Sequence, residues 1–160
     1  MTGGSSSPKR VAPDGSALGS SEPPRIRADL KELKQGDAIP ELKVTPDRYT
    51  PHRYAGASGD FNPIHIDPEF AKQVGLPGNI LHGLWMMAQV ARAHTEAAAG
   101  DPRALKRLAV QFRGMGFPEQ ELVVSATVKQ AENGVVITDT VAAQGENQVI
   151  RNAEAELKVD

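Results

Sequence analysis

Between Tyr54 and Asp67 the chain reads Tyr-Ala-Gly-Ala-Ser-Gly-Asp-Phe-Asn-Pro-Ile-His-Ile-Asp, its densest run of reactive side chains. Asp60 and His65 stand five residues apart across an Asn62-Pro63 turn. A regular helix would splay two side chains at that spacing, whereas a turn points both into one pocket. A carboxylate and an imidazole sharing a pocket form an acid/base pair, because histidine titrates near neutrality and a neighbouring carboxylate favours its protonated form. Asn62 is placed to orient a neighbour or a water, and Tyr54 to line the pocket. Asp67 is read as a helix cap rather than a catalyst. Asp60, His65, Asp67 and His82 also offer carboxylate and imidazole ligands of the kind that metals use. No spacing fixes them at ligand geometry, so the expectation is no metal.

The elements that must hold these residues follow from pattern. Ile39 to Thr45 reads as a short strand. Thr45-Pro46 reads as the N-cap and first residue of a helix reaching about Ala57, broken or kinked at Pro51. Ser58 to Asp67 reads as a loop. Asp67-Pro68 opens a second short helix that Gly75 closes. Ile80 to Ala99 is the longest helical stretch, with Asn79 as its cap and Gly100 as its stop. Leu81, Leu84, Trp85, Met87, Ala88, Val90 and Ala91 spread apolar character around most of its circumference, which places it inside the domain.

After this helix the period changes to two. Leu108, Val110 and Phe112 form one alternating set, and Leu122, Val124, Ala126 and Val128 a second. Asn133-Gly134 is a hairpin turn. Val135, Ile137 and Val141 continue the alternation with Asp139 out of place, and Val149, Ala153, Ala155, Leu157 and Val159 complete it. With the early strand these make five half-buried antiparallel strands. The simplest packing is an α+β fold, a curved sheet wrapped around one long helix.

The segment Gly59-Asp60-Phe61-Asn62-Pro63-Ile64-His65, with Ala71 six positions after the histidine, resembles the signature of the MaoC-like family. That family comprises (R)-specific enoyl-CoA hydratases and (3R)-hydroxyacyl-carrier-protein dehydratases. His82-Gly83 at the start of the long helix is a second family feature. The resemblance implies a single hot-dog fold over residues 27–160. It also implies a catalytic pair of Asp60 and His65 that holds one water and adds it syn across a trans-2-enoyl thioester, giving an (R)-3-hydroxyacyl thioester. One member of the pair would take a proton from the water and the other would deliver one to C2. The backbone N–H of Gly83 would form the oxyanion hole, with Asn62, Tyr54 and His82 binding or orienting substrate. No cofactor is implied. The substrate would be carried on CoA or acyl-carrier protein. The partner would be a second hot-dog subunit, identical or different.

Two other functions fit the fold. One is a non-catalytic acyl-binding subunit, which needs neither Asp60 nor His65. The other is a thioesterase, which would place a carboxylate on the long helix, where Ile80 to Thr95 carries none. The 160 residues suffice for one domain. A net charge of −2 points to neither nucleic acid nor a membrane surface. The chain has no cysteine, so thiolate chemistry is excluded and a cytoplasmic location is expected. No apolar run reaches the roughly 18 residues of a membrane helix. Residues 1–26 read as a disordered tail without the apolar core of a signal peptide; 14 of the first 24 are Gly, Ser or Pro. Arg103, Lys106 and Arg107 read as a solvated face.

Overall fold

The computed structural model describes residues 30–159. The expected tail, 1–26, and the expected start of the domain at residue 27 lie outside the described residues. Strand β1 (Ala38–Val44) is followed by three short helices, α1 (Thr50–Ser58), α2 (Pro63–Ile66) and α3 (Pro68–Gln73). The long helix α4 (Gly83–Ala97) comes next, then strands β2 (Leu105–Phe112), β3 (Leu122–Glu132), β4 (Val135–Gln144) and β5 (Asn147–Lys158). The sheet is antiparallel in the order β1-β3-β4-β5-β2. All five strands contact α4, so the sheet wraps the helix in the expected hot-dog arrangement.

The wrap needs curvature, and β5 supplies it. Its register slips by one residue against both β4 and β2 near Arg151, and Asn152 there adopts φ +48°. A bulge of this kind bends its strand. It also lets Val149 and Ile150, which are consecutive, both be buried. Two apolar clusters fill the concave side. Met86, Val90 and Ala93 meet Leu42, Leu122, Val124 and Val149 nearer the start of α4. Ala97 meets Leu30, Ile39, Val128 and Leu157 at its end.

Several expectations need correction. Helix α1 begins at Thr50, with Pro51 in its first turn, so Pro51 starts the helix rather than breaking it. Proline is harmless there because first-turn N–H groups have no intrahelical acceptor. Asp47 sets the turn, its Oδ1 accepting from the Tyr49 N–H at 2.9 Å and the Thr50 hydroxyl at 3.1 Å. The expected loop contains α2, because the Asn62 side chain accepts from the Ile64 N–H and Pro63 takes the first position. Helix α4 starts three residues later than expected, with His82 and not Asn79 at the cap position. Ile80 and Leu81 are instead tied in extended form, donating to Ile64 O at 3.2 Å and Gly116 O at 2.8 Å. Nor is α4 buried all round, since Leu84, Ala88 and Arg92 face solvent.

Strand β4 has the opposite phase. Val136, Thr138, Thr140 and Ala142 are buried, and Asp139 lies on the outer face with Val135, Ile137 and Val141. The inner threonines have a partner: His94 of α4, fully buried, whose Nε2 lies 2.7 Å from Thr138 Oγ1 and 3.2 Å from Thr140 Oγ1. The Asp67 cap is as expected, accepting from Glu69 N–H at 3.0 Å and Phe70 N–H at 3.1 Å. So is the Asn133-Gly134 turn, with φ of +53° and +73°.

Candidate active site

Three segments build the site. Gly59 ends α1 at φ +78°, which turns the chain sharply into the exposed residue Asp60. Asp60 is held within its own loop: its N–H donates to Ser58 Oγ and its Oδ1 accepts from the Asn62 N–H, both at 3.2 Å. Helix α2 then presents His65, which is 8% exposed. The third segment is the extended stretch ahead of α4, which ends in His82 and Gly83.

The donor atoms of Asp60, His65 and His82 all lie within 4.8 Å of one another. One water spans such a gap with hydrogen bonds of ordinary length. His65 Nδ1 lies 2.8 Å from the Ile80 carbonyl oxygen, so that nitrogen donates and Nε2 is left as the reactive atom. Burial pulls the His65 pKa below the ordinary histidine value, and the neighbouring His82 adds to this; the Ile80 bond and the Asp60 charge act the other way. The expectation that the carboxylate would favour the charged imidazole holds for its own contribution, though not for the net shift. Asp60 does push in that direction, but removing the ring from water outweighs it.

His82 is 2% exposed, and its Nε2–H donates to the Asp60 carbonyl at 3.0 Å. Its ring stacks on His65 with centroids 3.8 Å apart and planes 24° from parallel. Tyr54, half-buried, packs its ring 4.8 Å from that of His82. The Oδ1 of Asn62 is committed to capping α2. Gly83 is the first residue of α4, so its N–H has no intrahelical acceptor and stands at the positive end of the helix. A Cβ on Gly83 would lie 3.2 Å from the Phe112 ring, so that side of the glycine faces a side chain. Trp85 lines a pocket of about 370 Å³ with Val44, Thr45 and Tyr54. Sequence reasoning placed all six candidate residues in one region but missed the His65–His82 stack and the His82 bond to the Asp60 main chain.

Asp60, His65 and His82 are the one His/Asp/Glu cluster of metal-binding dimensions among the described residues. Their geometry does not suit a metal. Imidazole lone pairs lie in the ring plane, and in rings stacked with centroids 3.8 Å apart and only 24° from parallel they point alongside one another rather than converging on one point. Asp67, the fourth residue considered, is occupied as a cap.

A sheet curled round a helix, with a carboxylate and an imidazole gathered at the helix N-terminus, defines a hot-dog domain with a candidate acid/base site. Residues 32–152 match the MaoC like domain model, and the chain belongs to that family. Among curated relatives, the peroxisomal enoyl-CoA hydratase 2 of Arabidopsis thaliana is 43% identical over 67 residues, 41% of this chain and 22% of that protein. The peroxisomal hydratase-dehydrogenase-epimerase of Neurospora crassa is 31% identical over 155 residues, 97% of this chain and 15% of its own length. The chain thus spans less than a quarter of the length of these relatives. The (R)-hydratase from A. caviae involved in PHA biosynthesis superposes with a TM-score of 0.72 at 21% identity, covering 81% of this chain and 99% of that one, which establishes the shared fold.

Proposed function

We propose that this chain is a lyase that reversibly hydrates a trans-2-enoyl thioester to the (R)-3-hydroxyacyl thioester, with CoA or acyl-carrier protein as the carrier. The observation that carries this is the approach of Asp60 and His65 to water-bridging distance, with the Ile80 carbonyl occupying His65 Nδ1 and so leaving Nε2 as the nitrogen free to react. In hydration, a water between the two groups attacks C3 and loses a proton to one of them. That proton is relayed through the pair to C2 on the same side, so both groups end the reaction in the state in which they began it. The Gly83 N–H donates a hydrogen bond to the thioester oxygen as charge builds on it. Asn62 and Tyr54 shape the pocket around the pair. None of these steps calls on a group beyond the chain and the substrate.

The working unit is proposed to be a dimer with an identical or a related hot-dog subunit, because the sheet has an open edge. A cytoplasmic location is proposed from the cysteine-free composition; among the described residues no helix is long and apolar enough to cross a membrane.

The test is the loss of enoyl absorbance when the protein is added to crotonyl-CoA, with Asp60→Asn alongside. Asp60 is exposed, so the substitution leaves the fold intact, and kcat is expected to fall on the order of 10²-fold or more. Hydration that is undiminished in Asp60→Asn would sink the assignment. A wild type inactive on short and long enoyl-CoA and on enoyl-carrier protein would do the same.

A further inference from the structure

One buried group at the site takes no part in the proton transfers just described. His82 has almost no surface to offer a substrate, yet it touches both reacting residues. Its Nε2–H holds the Asp60 carbonyl from 22 residues away, whereas the bonds to Ser58 and Asn62 stay within the Asp60 loop. Its face carries the His65 ring. Its own Nδ1 is buried without a hydrogen-bond partner, so the Nε2 bond and the ring contacts are what orient it. The next residue is Gly83.

We propose that His82 is a positioning residue: one buried ring ties the main chain at Asp60 to the imidazole of His65, and so sets the distance between the two reacting side chains and their register with the Gly83 N–H. The proposal rests on Asp60 and His65 being the reacting pair. Asp60 is exposed on a loop and His65 sits on a four-residue helix. Neither element is rigid enough alone to hold a spacing on which proton transfer depends, and a misplacement of about 1 Å can cost on the order of 10²-fold in rate. His82 supplies the missing connection by packing both against the start of the long helix.

The two contacts use different parts of the ring, so two substitutions separate them. His82→Gln sets an amide N–H about where Nε2 stands but removes the ring. His82→Phe keeps a ring and removes the donor. With crotonyl-CoA, kcat is expected to fall in both, on the order of 10²-fold in His82→Phe and less in His82→Gln. KM should stay within about two-fold, because no substrate contact is lost. A rise in KM at unchanged kcat would make His82 a substrate contact and overturn the proposal. Wild-type kcat in both variants, with Asp60→Asn inactive, would overturn it while leaving the reacting pair in place. Full activity in Asp60→Asn would remove the pair and the proposal together. Should neither variant fold, 15N NMR of the wild-type imidazoles decides: His82 protonated on Nε2 supports the proposal, and the Nδ1–H tautomer overturns it.

Discussion

At the scale of single residues, His65 is where opposing influences can be separated by titration. Burial and the stacked His82 hold its pKa down, while the Asp60 charge and the Ile80 bond hold it up. In the free protein its NMR resonances are therefore expected to titrate below the ordinary histidine value of about 6.5. Asp60→Asn removes an upward influence and should move the midpoint lower still. A midpoint above the ordinary value, or one that rises in Asp60→Asn, contradicts this balance. The residues that set it were unequally legible in the sequence. Asp60 and His65 are close neighbours along the chain, and the prolines and caps between and after them fold locally. His82 reaches Asp60 across 22 residues, from the stretch just ahead of α4. No local pattern records that contact, and the His82-Gly83 pair marked only the place. The net direction of the His65 shift was not legible for the same reason: the carboxylate is near in sequence, whereas burial is made by distant elements.

At the scale of elements, the seam between α4 and β4 shows what alternation hides. Val135, Ile137 and Val141 are only half-buried, while the inward set carries two threonines. Hydropathy alone chose the outer face, because the polar inward residues are satisfied by a histidine 44 residues from Thr138 along the chain, beyond any local signal. His94 Nδ1–H donates to the Val90 carbonyl at 2.7 Å, so Nε2 accepts from the threonine hydroxyls and the ring is neutral in this arrangement. Burial, opposed by the Val90 bond, lowers its pKa. The sign follows. The unfolded chain takes up a proton near pH 6.5 and the folded chain only at lower pH, so His94 contributes its full stability above about 6.5. That contribution is lost as pH falls from there toward the folded value, by at most about 1.4 kcal/mol per pH unit. His65 acts in the same direction. Thermal melts at about pH 7.5 and about pH 5.5 should therefore show a drop in Tm that narrows in His94→Gln without vanishing. An acid-induced drop equal to that of the wild type would refute a role for His94.

At the scale of the whole molecule, the two sheet edges differ. On the β1 edge Pro40 lacks an N–H, Glu41 and Lys43 form a surface ion pair, and a register shift falls between Ile39 and Leu42, all features that discourage pairing. The β2 edge ends at Phe112, which is 47% exposed against an expectation of burial. Beside it lies Leu84 on the solvent-facing strip of α4, 61% exposed, since the Phe112 ring rests against Gly83. Met115, 45% exposed, follows on the same connection. An open edge with adjoining apolar side chains is the surface on which a second subunit would dock, beside the segment that carries Gly83 and His82. Such an interface must bury on the order of 1,200–2,000 Å² to be stable, and its apolar centre is where a charge is least tolerated. In light scattering the protein is expected at twice its chain mass of 17.1 kDa, and Phe112→Lys at the single-chain mass with its Tm little changed, because that ring is half in solvent already. A wild type that runs as a single chain would count against a homodimer on this surface. A Phe112→Lys variant that stays dimeric would move the interface away from β2.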